Sequence, residues 1–270
     1  MNRTGLGIAI TLGLAIGGLF AALPRLDLEI SRLFISPETG HFALLDDLHA
    51  GRLSWAMHLR DASMWVVTAL AIAAGAAVAI KCVAPRRRMR VGGRAVLFLL
   101  GTLALAPGVL ANVVLKEHWG RPRPILVHDF GGNQSFVPWW DPRGSCTHNC
   151  SFIAGEPAGA FWTLAPAALA PPPVRVFAYG AAVAFGSTVG LLRLAFGAHF
   201  FTDVAFAGLF TFLIIWLVHG ALYRWRATAI SDAALERAIE AIVLPVHDAL
   251  MRLFARVSRR TDREPRPGRP

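Results

Sequence analysis

The run AVLFLLGTLALAPGVLANVVL, residues 95–115, passes without interruption into KEHWGRPRP, residues 116–124. An apolar helix needs roughly 20 residues to cross the hydrocarbon core of a bilayer, and this run is long enough. It ends abruptly in Lys116, Arg121 and Arg123, with Pro122 and Pro124 between and behind them. Prolines stop a helix, and cations at its end sit at a membrane boundary. The fold is therefore read as that of a membrane protein, and the cations as fixed at the mouth of a span.

The rest of the chain is of the same kind. Of its 270 residues, 55% are hydrophobic and the mean hydropathy is +0.50, above the usual soluble domain. Six segments are expected to span, at about 5–23, 63–83, 95–115, 152–170, 174–194 and 201–223. The fourth is interrupted by Glu156, Pro157 and Pro166, and Pro171, Pro172 and Pro173 mark the turn after it. The first is read as a span and not a secretory signal, because its apolar run exceeds the usual signal core and Arg3 is its only basic flank. The expected fold class is all-α and polytopic. One six-span domain covers residues 1–223, and a basic tail covers 224–270.

Charge sets the orientation. The loop APRRRMRVGGR, residues 84–94, holds five arginines and no acid, and the tail is also arginine-rich. By the positive-inside rule both lie in the cytoplasm, as do both termini. Pro24 to Ala62, with six acids against four arginines, and Lys116 to Cys150 then face outward. The formal charge of +10 is in this reading a topology signal, and no nucleic-acid partner is expected.

On the outer side, the unusual polar residues gather at one level. Lys116 and Arg123 close the third segment, Glu156 lies near the start of the fourth, Arg193 ends the fifth, and His199 and Asp203 open the sixth. Ionisable groups so near the hydrocarbon are costly and point to function. Lys116, Arg123 and Arg193 together suit a phosphate, which arginine binds bidentately. His199 and Asp203, spaced i, i+4, share a helix face, so the carboxylate is expected to accept from one ring nitrogen and leave the other free to attack. Such a histidine facing a clamped phosphorus suits covalent phosphoryl transfer. Glu156 is placed to protonate the leaving oxygen if burial keeps it neutral. Blander readings stand beside these: Lys116 as a snorkelling anchor, Arg193 as a partner of Asp203, and Glu156 as a structural, hydrogen-bonded carboxylate. Arg121, Trp119 and Trp140 are read as an interfacial fringe.

K-x6-R-P in KEHWGRPRP and R-x5-H-x3-D in RLAFGAHFFTD resemble the first and third signature motifs of the type 2 phosphatidic acid phosphatase family. The six-span layout is similar to its integral-membrane branch over most of the chain. Arg121-Pro122 also spells R-P, but Arg123 has the matching distance from Lys116. The resemblance implies a lipid phosphatase acting through a phosphohistidine at His199, with neither cofactor nor metal. The second motif departs from the family pattern Pro-Ser-Gly-His: here Ala154, Gly155 and Glu156 stand for the serine, glycine and histidine. Gly155 is then expected to let backbone approach phosphate, and Glu156 to inherit the histidine's part in leaving-group chemistry.

NCSFIAGE, residues 149–156, resembles the lipid A phosphatase relatives within that family. Undecaprenyl diphosphate, phosphatidylglycerophosphate and phosphatidate are competing substrates. A phosphotransferase with another acceptor, a transporter and a non-catalytic lipid-binding relative are the other classes considered; the gathering of charge at one end, away from the midplane, argues against a transporter. The implied setting is a bacterial-type inner membrane, with the site facing the periplasm and lipids as partners. Cys146 and Cys150 are expected to form a disulfide in that oxidising compartment. With His118, His128 and His148 they also offer a zinc alternative, and Cys82 reads as a buried hydrophobe. Phe42 to Arg60 has the period of a helix lying on the outer surface. Ile230 to Val257 has that of a helix on the cytoplasmic surface, and the end, RRTDREPRPGRP, reads as disordered.

Overall fold

In hydrocarbon a chain must satisfy its own backbone N–H and C=O groups, which favours long helices wherever the sequence is apolar. The computed structural model describes residues 2–49, 55–89, 91–228 and 230–261. Within these the helices are, in chain order, α1 (Arg3–Ala22), α2 (Leu26–Arg32), α3 (Ala43–His49), α4 (Trp55–Val83) and α5 (Gly93–His118). They continue with α6 (Gly155–Phe161), α7 (Leu164–Leu169), α8 (Pro172–Ala195), α9 (Phe201–Arg224) and α10 (Asp232–Thr261). Five of them, α1, α4, α5, α8 and α9, are long and apolar enough to cross a membrane. The protein is an all-α, polytopic membrane protein. Large apolar side chains such as Leu14, Trp65, Ile72 and Phe177 stand exposed on these helices, as expected of surfaces solvated by lipid.

The segment at 152–170 does not form the single long helix expected of it. It folds as the short pair α6 and α7, broken at Trp162 and Thr163 and largely buried against α5, α8 and α9. Pro166 has no N–H to donate to the carbonyl of Trp162, so the helix cannot run through. Each proline of the pair sits in the first turn of its helix, where the missing donor is tolerated. Trp162, at the break, is fully buried, and its Nε1 donates to Thr102 Oγ1 at 3.0 Å and Leu99 O at 3.2 Å. Apolar on every side but for Glu156, the pair belongs in the bundle's interior. Close approach completes the packing: a Cβ at Gly186 of α8 would fall 2.3 Å from the Phe161 ring.

Proline shapes α5 too. From Ala104 to Leu115 its backbone widens into π-helical turns around Pro107, and Asn112 Nδ2 donates to Pro107 O at 2.6 Å. Such turns often mark functional positions. Here they lead directly to Lys116.

At the opposite end, α10 docks on the ends of α4 and α5. Lys81 Nζ, on α4, donates to Glu236 at 2.8 Å and Glu240 at 2.5 Å, and Arg94 pairs with Asp232. Asn2 lies at this end as well, its carbonyl accepting from Trp216 Nε1 at 3.2 Å. The helix read over Ile230 to Val257 thus runs to Thr261 and packs through its acids, while residues 262–270 lie outside the described part. Of the helix read over Phe42 to Arg60, the structure describes α3 and the start of α4, and residues 50–54 lie outside the described part.

Candidate active site

α5 delivers Lys116, and the chain then makes an excursion that returns along the same residues. Cys146 N donates to Gly120 O at 3.0 Å, Cys150 N to Lys116 O at 3.0 Å and Ser151 N to Arg121 O at 2.8 Å. Cys146 and Cys150 are disulfide-bonded at this return. The excursion is thereby tied to the end of α5, with Ser151 set inward and buried.

The other wall comes from the α8–α9 connection. Gly197 adopts φ +61°, the left-handed conformation that closes helices and favours glycine. A Cβ there would also fall 2.4 Å from the Phe42 ring. The turn brings His199 to the head of α9, 2% exposed. Asp203, in the first turn of α9, accepts from Phe200 N at 2.8 Å, which caps the helix and places negative charge at its N-terminus.

His199 is oriented differently from the sequence expectation. Its Nδ1 is 3.8 Å from Asp203 Oδ2, too far for a hydrogen bond, and donates instead to Ser151 O at 2.8 Å. Ser151 Oγ donates in turn to Asp203 Oδ2 at 2.5 Å. A ring that donates from Nδ1 carries its lone pair on Nε2. Burial, together with the charges of Arg193 and Lys116, lowers the His199 pKa to about 4 against the opposing pull of Asp203. The imidazole is thus neutral at neutral pH, the form a nucleophile requires.

Arg121 is no interfacial fringe. It is fully buried, its Nη1 donating to Asp203 Oδ1 at 2.5 Å and Thr202 Oγ1 at 2.8 Å, and its Nη2 to Asp27 Oδ2 at 2.8 Å. Nε donates to Val137 O at 2.9 Å, and the guanidinium stacks 4.4 Å from the centre of the Phe200 ring. Asp27, on α2, also accepts from the backbone N of Thr202 at 3.0 Å and from its hydroxyl at 2.6 Å. A lone buried charge is very costly, whereas this one has its donors paired. Sequence reading missed Arg121, Ser151, Asp27 and Thr202. The only hint was the doubled Arg-Pro, of which the copy set aside for its spacing turns inward.

Lys116, Arg123 and Arg193 are brought to the same region, all partly buried. Arg123 donates to Asn149 O from Nε and Nη2 at 3.2 and 3.0 Å. Arg193 Nε is buried without a hydrogen-bond partner. Glu156, second residue of α6, has neighbours of another kind from those a proton donor needs. Arg60 of α4 donates from Nε to its Oε2 at 2.9 Å and from Nη2 to its Oε1 at 2.6 Å, and Arg193 Nε is 3.7 Å away. A carboxylate held on both oxygens has no proton to give while that pair stands. Gly155 is buried, and the close approach it permits is to Asn112: a Cβ there would lie 2.5 Å from Asn112 Oδ1.

The site thus holds a neutral, oriented imidazole that feels the charges of Arg193 and Lys116. Among the described residues no group of three or more His, Cys, Asp and Glu side chains is arranged to hold a metal ion. His148 pairs with Glu117 at 2.5 Å.

Residues 95–227, which carry Lys116, Arg123, Arg193, His199 and Asp203, match the PAP2 superfamily. The chain is similar to lipid A 4′-phosphatases of three bacteria. It is 39% identical over 132 residues to that of Francisella tularensis subsp. novicida, covering 48% of this chain and 60% of the relative. It is 41% identical over 115 residues to that of Rhizobium leguminosarum (43% and 49%) and 38% over 128 residues to that of Rhizobium etli (47% and 47%). The chain spans about half the length of these curated relatives. No solved structure matches it.

Proposed function

The chain belongs to the PAP2 superfamily, and from that premise we propose that it is a lipid-phosphate phosphatase acting on the 4′-phosphate of lipid A. The observation that carries the proposal is the His199–Ser151 hydrogen bond, which leaves the lone pair on Nε2 of a ring that feels the charges of Arg193 and Lys116. Lys116, Arg123 and Arg193 bind the non-bridging phosphate oxygens and stabilise charge as it develops. Nε2 attacks phosphorus, the bond from phosphorus to the lipid oxygen breaks, and that oxygen takes up a proton from water. Water then cleaves the phosphohistidine and releases inorganic phosphate. Asp203, Ser151 and Arg121 hold the histidine; no metal or cofactor takes part. The choice of lipid A over other lipid phosphates rests on the names of the relatives.

We further propose that α6 and α7 together make a sixth crossing, in a domain ending near residue 223 that the basic tail follows. The support is that Asn2, the loop before Arg94 and α10 gather at one end of the bundle, and Lys116 and His199 at the other. With the arginines of residues 84–94 held in the cytoplasm, both termini are cytoplasmic, and the site faces the periplasm from the inner membrane.

The test is phosphate release by detergent-purified protein from lipid A, undecaprenyl diphosphate, phosphatidylglycerophosphate and phosphatidate, with and without EDTA. Chelator-resistant release, fastest from lipid A and abolished in His199→Ala, is the expected result. Release from another lipid corrects the substrate; transfer of the label to a second lipid would make it a phosphotransferase; no turnover on any lipid overturns the proposal.

A further inference from the structure

Arg60 enters the site from α4, a helix on the rim of the bundle that exposes Trp65, Val66, Ile72 and Ile80. It lies outside residues 95–227, the stretch that carries the family likeness. Its guanidinium takes both oxygens of Glu156, at 2.9 and 2.6 Å. Arg193 Nε stands 3.7 Å from the same carboxylate, buried and with no hydrogen-bond partner of its own. Two guanidiniums thus face one carboxylate, and Arg60 holds it.

The consequence follows from donor counting. A carboxylate paired bidentately with arginine is near its strongest geometry. Without Arg60, the near cation left to take its oxygens is Arg193, and a shift of roughly 1 Å brings that contact to hydrogen-bond distance. Arg193 would then be neutralised, with donors spent on protein instead of on phosphate. We infer that Arg60 is a positioning residue: it occupies Glu156 and so keeps Arg193 free for the oxygens of a phosphomonoester dianion. This rests on the reading of Lys116, Arg123 and Arg193 as phosphate ligands.

The inference predicts suppression, which a merely structural pair would not give. Binding of radiolabelled inorganic phosphate would be measured on the purified full chain in detergent for wild type, Arg60→Ala, Arg60→Lys and the double variant Arg60→Ala/Glu156→Gln. Arg60→Ala should weaken binding roughly tenfold. Removing the freed carboxylate as well should return affinity to within about threefold of wild type. Arg60→Lys, a point charge without the planar fork, should fall between wild type and Arg60→Ala. Wild-type affinity in Arg60→Ala, or a double variant as weak as the single, overturns the inference and leaves the phosphate site intact. If Arg60→Ala does not fold, Arg60→Lys decides: weakened binding supports the inference and unchanged binding overturns it. No phosphate binding by wild type would overturn both readings.

Discussion

His199 Nδ1 donates to the carbonyl of Ser151 at 2.8 Å, and the hydroxyl of the same serine donates to Asp203 at 2.5 Å. One residue thus links the imidazole to the carboxylate four positions further along the chain, in the first turn of α9. The backbone half of that link survives any side-chain change, so Ser151→Ala removes only the hydroxyl bridge. A roughly tenfold loss in kcat is expected, with KM little changed because no phosphate ligand is touched. Steady-state kinetics of the variant check this; an unchanged kcat would mean that the carbonyl alone orients the ring.

The titration of His199 gives a pH dependence with a definite sign. Its pKa is lowered to about 4, so the neutral imidazole persists well below the ordinary histidine range. The acid limb of kcat/KM, which reports the free enzyme, should therefore lie near pH 4. Arg193 contributes to the lowering, so Arg193→Gln should move that limb to higher pH, besides weakening substrate binding. Stability follows the same group. Between the unfolded value of 6.5 and the folded value of about 4, the unfolded chain binds more protons than the folded one. Stability therefore falls as pH falls through that window. Thermal unfolding in detergent at a series of pH values should show this slope, and His199→Gln should flatten it.

Arg121 is the cation between Asp27 and Asp203, and all three are buried. Arg121→Met leaves two carboxylates without it, a loss on the order of 3–5 kcal/mol. Arg121→Lys is expected to be nearly as damaging, since a single ammonium cannot reproduce contacts made from both ends of a planar fork. Arg123→Lys, at a partly buried position that donates to the carbonyl of Asn149, should leave unfolding temperature almost unchanged and act on KM. The two arginines are thereby separable by melting temperature against kinetics.

This contrast also marks what the sequence could disclose. Apolar runs reveal helices because length and composition suffice, and α1, α4, α5, α8 and α9 were legible for that reason. Motif spacing singled out Lys116, Arg123, Arg193, His199 and Asp203, which one short region of the fold does assemble. Contacts made across the bundle leave no local trace. Arg60 meets Glu156 from 96 residues away, and Asp27 meets Arg121 from 94. Neither has a period or a spacing to betray it. The break at Trp162 was signalled by Pro166, but whether a proline kinks or ends a buried helix depends on what packs around it.

The disulfide lies one residue from Ser151, which orients His199, and the returning segment it closes is hydrogen-bonded to Lys116, Gly120 and Arg121. Opening it releases a local tether while leaving the helices in place. Cys146→Ser, or wild type treated with dithiothreitol, should lose up to about 100-fold in kcat, as small misplacements in an active site do. Helical circular dichroism should stay the same. Full activity under reduction would show that the backbone hydrogen bonds of Cys150 and Ser151 hold the site by themselves.

At the far end of the bundle the expected asymmetry is between a cation and its acids. Lys81 is 1% exposed, whereas its partners Glu236 and Glu240 keep a quarter or more of their side chains in solvent. Removing the lysine leaves acids that water can still solvate; removing the acids leaves a buried ammonium whose remaining partner is Arg87 O at 3.0 Å. An unpaired buried charge is the worse outcome. Glu236→Gln/Glu240→Gln should therefore lower the unfolding temperature more than Lys81→Met does. Both should speed hydrogen exchange across residues 232–253, because either breaks the attachment of α10 to α4. Equal effects on stability would mean that Lys81 finds water or lipid headgroups once its acids are gone.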